Sequence, residues 1–145
     1  VLDLDPRYRP VVDGDGYPRL EDLGLIGDGT TAALVGHDGS ITWLCVPGFD
    51  GDAVLCGLLD RERGGGFRVF PEDLRESRQR YVPDTGLLVT ELRTGTGLVR
   101  LTDALALRAG ADISDGTPAA RSELVRSVVV IDGEVRLHVE LDPRE

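Results

Sequence analysis

Between residues 81 and 141 apolar side chains recur at every second position, in runs broken by glycine-bearing turns, and no other feature constrains the fold as strongly. Leu88, Thr90 and Leu92 alternate with Val89, Glu91 and Arg93, the turn Thr94-Gly95-Thr96-Gly97 follows, and residues 98–107 return as a partner run. Val125, Ser127, Val129 and Ile131 lead into Asp132-Gly133, after which Val135, Leu137, Val139 and Leu141 alternate strictly with Glu134, Arg136, His138 and Glu140. A period of two sends successive side chains to opposite faces of a strand. These runs predict two antiparallel hairpins, with His138 on the polar, solvent-facing side of the second.

A further hairpin is predicted at residues 30–46. Residues 30–35 and 40–46 are extended runs joined by His37-Asp38-Gly39, residues that tolerate positive φ. Strict alternation places Ile41, Trp43 and Cys45 on one face of the second arm, and Thr42, Leu44 and Val46 on the other. Pro47, Gly48 and Gly51 then end the strand and open a loop. Residues 52–61 predict a short helix, with Ala53, Val54, Leu55, Leu58 and Leu59 as its apolar stripe, Asp50 or Asp52 as its cap, and Gly64-Gly65-Gly66 as its stop. A short strand at 67–70 and a charged, solvated connector at 71–80 come next, while residues 1–19, rich in Asp, Pro and Gly, predict an irregular arm. Antiparallel hairpins with at most one helix leave no crossovers for a parallel sheet. The fold class is therefore all-β, an antiparallel β-sandwich with one short helix.

A chain of 145 residues is long enough for one core, so residues 1–145 are expected to form a single domain. The net charge of −10, with every positive charge an arginine, excludes a phosphate-backbone partner and an anionic membrane surface. No apolar run approaches a membrane span and the start lacks the pattern of a signal peptide, so the expected location is the cytoplasm. Cys45 and Cys56 are the only cysteines and have no metal-type spacing with His37 or His138, which predicts buried reduced thiols and neither metal nor cofactor. A calcium loop starting at Asp13 fails because Tyr17 and Pro18 stand where an oxygen ligand and a glycine are needed. Residues 27–32 fit a loose G-x-G-x-x-A pattern, but the next turn arrives before a phosphate-binding helix could form. The chain has no methionine, and an excised domain of a longer protein is the expectation.

Glu21-Asp22-Leu23-Gly24-Leu25-Ile26-Gly27-Asp28, Thr31-Ala32-Ala33-Leu34-Val35, Asp38-Gly39-Ser40-Ile41, Trp43-Leu44-Cys45, Pro47 and Phe49-Asp50 form an ordered series of blocks. Leu58-Leu59-Asp60, Glu62-Arg63-Gly64-Gly65, Tyr81-Val82-Pro83-Asp84-Thr85 and Val99-Arg100-Leu101-Thr102-Asp103 continue it. Together they resemble the N-terminal, trehalase-like domain of prokaryotic family-15 glycoside hydrolases, of the glucoamylase and trehalase type. The resemblance implies a β-sandwich, part of a supersandwich, preceding a helical (α/α)6 barrel that supplies the catalytic carboxylates and is absent here. No catalytic residue is therefore carried over.

What the resemblance does imply is a loop facing the barrel near its active-site mouth. The family signature has an aspartate before the tryptophan and an arginine before Phe-Asp-Ser. Thr42, Gly48 and Gly51 replace the aspartate, the arginine and the serine, and Trp43, Phe49 and Asp50 are left as candidates for the substrate entrance or the barrel interface. Read without the family, Trp43 also suits the core aromatic of a sandwich and Asp50 a helix cap. The implied function is a non-catalytic domain of a hydrolase acting on α-glucosides. Its partner is the barrel of the same polypeptide, the sugar is met only indirectly, and oligomer formation stays open. The alternatives are a free-standing carbohydrate-binding module and a purely structural or oligomerisation domain.

Overall fold

Strands with alternating side chains need a second layer to cover their apolar face, and this chain provides it by folding into two antiparallel sheets. The structure, a computed structural model, describes residues 7–11, 17–116 and 118–144. The first sheet has the order β1 (Arg9–Pro10), β7 (Leu74–Tyr81), β8 (Leu88–Thr94), β9 (Gly97–Leu107), β10 (Ala120–Gly133). The second has the order β11 (Leu137–Asp142), β6 (Gly66–Pro71), β4 (Ser40–Cys45), β3 (Ala32–Val35), β2 (Gly24–Gly27), and β5 (Ala53–Leu55) pairs with β4. Ile26, Ala33, Val35, Ile41, Leu44, Leu55, Leu88 and Leu105 form one core cluster, and Val69, Leu92, Val99 and Leu101 form another. The expected all-β sandwich is what the chain adopts.

The hairpins at 30–46 and 88–107 form as read, as β3–β4 and β8–β9. Gly39 closes the first with φ of 81°, where a Cβ would also meet the Val69 carbonyl oxygen at 2.8 Å. The third predicted hairpin does not form. β10 pairs with β9 and β11 pairs with β6 in the opposite sheet, so residues 134–136 cross between layers instead of turning back. Each run gains more by joining an existing sheet than by pairing with its neighbour in sequence.

Two other readings are corrected. Residues 52–61 are not a helix: Leu55 lies opposite Leu44 in β5, and turns follow in which the Asp60 carboxylate accepts the Glu62 and Arg63 amides at 3.1 and 3.0 Å. Among the described residues the helices are two 3₁₀ turns, Leu20–Asp22 and Ile113–Asp115. The stripe was real, but burying Leu55 between the sheets outweighs a local helical preference. The connector at 71–80 is strand β7. Its Ser77 and Gln79 face inward, and Gln79 gives its amide hydrogens to the Gly36 carbonyl and the Thr90 hydroxyl, both at 3.0 Å. Polar side chains that pair inside the sandwich leave no apolar trace in the sequence, although the Gln79 amide oxygen has no partner among the described residues. Of the arm expected at 1–19, residues 1–6 and 12–16, including the Asp13 loop, lie outside the described residues, and Arg9–Pro10 form β1 on β7.

One side of the sandwich is open. Val128 and Val130 lie opposite the buried Leu101 and Val99, so they point to the interior, yet they are 38% and 42% exposed. Val139 and Leu141 of β11 lie opposite Val69 and Phe67 and are 68% and 64% exposed. Val129, on the outer face of β10, and Ile131, at the irregularity before Asp132, are exposed as well.

Candidate interface around Trp43

The register of β3 on β4 decides where the tryptophan points. Val35 lies opposite Ile41 and Leu34 opposite Trp43, so β3 advances one residue while β4 advances two, and Thr42 is the extra residue of a bulge. A one-residue slip sends every later side chain to the other face. Ile41 and Leu44 therefore share the core, and Trp43 turns outward. It continues a cross-strand row of Leu25, Leu34 and Trp43 across three strands, in which Leu25 is 45% exposed and the other two are half-buried. Trp43 is not the core aromatic of the sandwich. Its indole N–H makes no hydrogen bond within the described residues.

Residues 46–52 follow directly and are held by main-chain contacts. The Phe49 amide donates to the Thr30 carbonyl at 3.1 Å, the Gly51 amide to the Gly48 carbonyl at 3.0 Å, and the Ser122 hydroxyl to the Pro47 carbonyl at 2.8 Å. Asp28 anchors the same corner. Burial opposes its charge, but the amides of Thr30, Thr31 and Ser122 and the Thr30 hydroxyl all donate to it and hold it below the usual carboxylate range. On this pinned loop Phe49 is 65% exposed and Asp50 is exposed without a hydrogen bond among the described residues. Asp50 caps no helix, since β5 begins at Ala53. Trp43 and Phe49 do not stack on each other.

Glycosidic bond cleavage needs a carboxylic acid kept protonated by its surroundings and a second carboxylate across the sugar. Among the described residues, each carboxylate displaced from its ordinary acidity is displaced downward: Asp22, Asp28, Asp73, Glu91, Asp112 and Asp115. Glu91 is the extreme case. Burial would raise it, but the Tyr8 hydroxyl at 2.8 Å, Arg100 at 2.9 Å and Arg78 at 2.6 Å hold it at about 2. Such a carboxylate is an ion-pair centre and cannot donate a proton near neutrality.

A family of domains described as trehalase-like, N-terminal, matches residues 7–145. The chain belongs to this family. The trehalase-like domain is similar to a trehalase of Mycolicibacterium smegmatis, 31% identical over 137 residues that make up 88% of this chain and 20% of that protein. A trehalase of Mycobacterium tuberculosis gives the same identity and coverage. A trehalase of Thermoplasma volcanium is 41% identical over 92 residues, 61% of this chain and 15% of its own length. The trehalase-like domain thus spans a fifth or less of these curated relatives. No solved structure matches it. No helix among its described residues is long and apolar enough to cross a membrane.

Sequence reasoning put Trp43 on the same face as Ile41, because a bulge has no composition of its own, and the bulge at Thr42 separates them. It overlooked Arg68 and Glu140, which β6 and β11 bring opposite one another although they are far apart in the chain.

Proposed function

We propose that the trehalase-like domain is the non-catalytic N-terminal β-sandwich of a glycoside hydrolase acting on α-glucosides, and that it packs against the catalytic part of the same polypeptide. The observation that carries this reading is the open side of the sandwich, where Val128, Val130, Val139 and Leu141 point to the interior and are still exposed. Apolar rows of this kind on edge strands invite a partner. In relatives five or more times longer than the matched region, the rest of the chain is the nearest candidate. Trp43 and Phe49 offer a second contact on the outer face, with Asp50 as an acceptor, and we assign to them the barrel interface at the substrate entrance. The protein would act in the cytoplasm.

The test is glucose release by the longer protein and by the 145-residue chain at equal molarity, with trehalose first because the relatives are named trehalases. Hydrolysis by the longer protein and none by this chain is expected. Turnover by the isolated chain would overturn the non-catalytic role, and an inactive longer protein would overturn the assignment to a hydrolase.

A further inference from the structure

A cleft of about 750 Å3, within the usual range of about 300–1,000 Å3 for small-molecule sites, runs from the outer face of the second sheet to β1 and β7 of the first. Its floor is set by Arg68 of β6, which lies opposite Ser40 on one neighbouring strand and Glu140 on the other. Arg68 is held by its flat face: the guanidinium sits 4.5 Å from the centre of the Phe70 ring, Phe70 stacks on His138 at 5.3 Å, and Glu72 holds the His138 ring at 3.0 Å. Its edges are unspent. Asp38 at 3.8 Å and Glu140 at 3.7 Å are ion-pair neighbours too distant for hydrogen bonds, and Arg68 has no other polar contact among the described residues. The fork of N–H groups and the facing carboxylate oxygens are therefore pre-set and available.

Charge decides what fits. Three arginines, Arg9, Arg61 and Arg68, and four carboxylates, Asp22, Asp38, Glu140 and Asp142, surround the cleft. An anion at Arg68 would meet Asp38 and Glu140, and a cation at either carboxylate would meet Arg68. A neutral molecule with several hydroxyl groups satisfies all three, since each hydroxyl can accept from the guanidinium while donating to a carboxylate. At the rim Tyr17 is 55% exposed, its hydroxyl accepting from the Arg61 amide at 3.4 Å, and it offers a ring face to the apolar C–H side of a sugar.

We propose that this cleft binds a neutral polyhydroxylated ligand, a mono- or disaccharide, with Arg68 between Asp38 and Glu140 as its hydrogen-bonding floor and Tyr17 as its rim. The site lies wholly within this chain and does not depend on the Trp43 surface or on a catalytic partner.

Titration of the 15N-labelled chain with glucose, maltose and trehalose, and separately with sodium phosphate, tests it. Saturable shifts at the amides of Tyr17, Ser40 and Thr42 are expected in the millimolar range with at least one sugar and not with phosphate. Arg68→Met should weaken sugar binding about tenfold or more, and Tyr17→Ala should weaken it several-fold. Tyr17→Ala lies outside the core and decides the matter if Arg68→Met fails to fold. Absence of saturable shifts with all three sugars, saturation by phosphate, or unchanged affinity in the folded variants would overturn the proposal.

Discussion

Ile41 and Trp43 are two positions apart on one strand and point to opposite sides of its sheet, because the bulge at Thr42 separates them. Their truncations should therefore differ. Ile41→Ala, at 0% exposure, should cost about 2–5 kcal/mol, and Trp43→Ala, half-buried on the outside, about 1–2 kcal/mol. Urea denaturation of both variants measures the order, and a larger loss for Trp43→Ala would contradict an outward indole.

In the longer protein the same Trp43→Ala change, and Phe49→Ala beside it, should lower turnover per folded molecule if this surface lines the substrate entrance. Phe49, 65% exposed, is the cleaner probe, since its removal should change stability by no more than about 0.5 kcal/mol. Equal kcat/KM in Phe49→Ala and the unaltered protein would remove the loop from the entrance.

Asp103 and Arg126 face each other across β9 and β10 with 0% and 2% of their side chains exposed, joined at 2.6 Å, and Arg126 also donates to the Gly39 carbonyl at 2.7 Å. Loss of either partner strands a buried charge. Arg126→Met or Asp103→Leu alone should cost about 3–5 kcal/mol, and the double variant should cost less than the sum of the two. Equilibrium unfolding of the three variants tests that non-additivity.

Glu91 makes acid stability predictable. Its folded pKa of about 2 lies below the ordinary 4.5, so its contribution is fully present above pH 4.5 and is lost as pH falls towards 2. A shift of this size corresponds to about 3 kcal/mol. Stability measured between pH 5 and 2, as limits of about that range, should fall steeply in the native chain and less in Glu91→Gln. Tyr8→Phe removes one of the donors that hold Glu91 and should give a smaller change in the same direction.

The open edges give a prediction about behaviour in solution. The isolated chain should associate as its concentration rises, and Val129→Lys with Val139→Glu should suppress this without lowering thermal stability, since both residues are exposed. Sedimentation velocity reads the outcome, and a strictly monomeric native chain would argue that the valine rows need no cover.

The sequence by itself determined the all-β class, the β3–β4 and β8–β9 hairpins and the position of the loop bearing Phe49 and Asp50. Period-two patterning and turn residues act over a few positions, and they need no distant partner to be read. Tertiary structure decided the rest. β10 and β11 went to different sheets because their best partners, β9 and β6, were already there. Residues 52–61 became a strand and turns once Leu55 could be buried against Leu44. The polar run at 74–81 became an interior strand because Gln79 found Gly36 and Thr90 as partners. Trp43 faced outward through one extra residue in a register that only pairing with β3 defines. The Arg68 cleft is likewise assembled from β4, β6 and β11 with β1 and β7 of the other sheet, and side-chain convergence of that kind is a property of the tertiary structure, not of any segment within it.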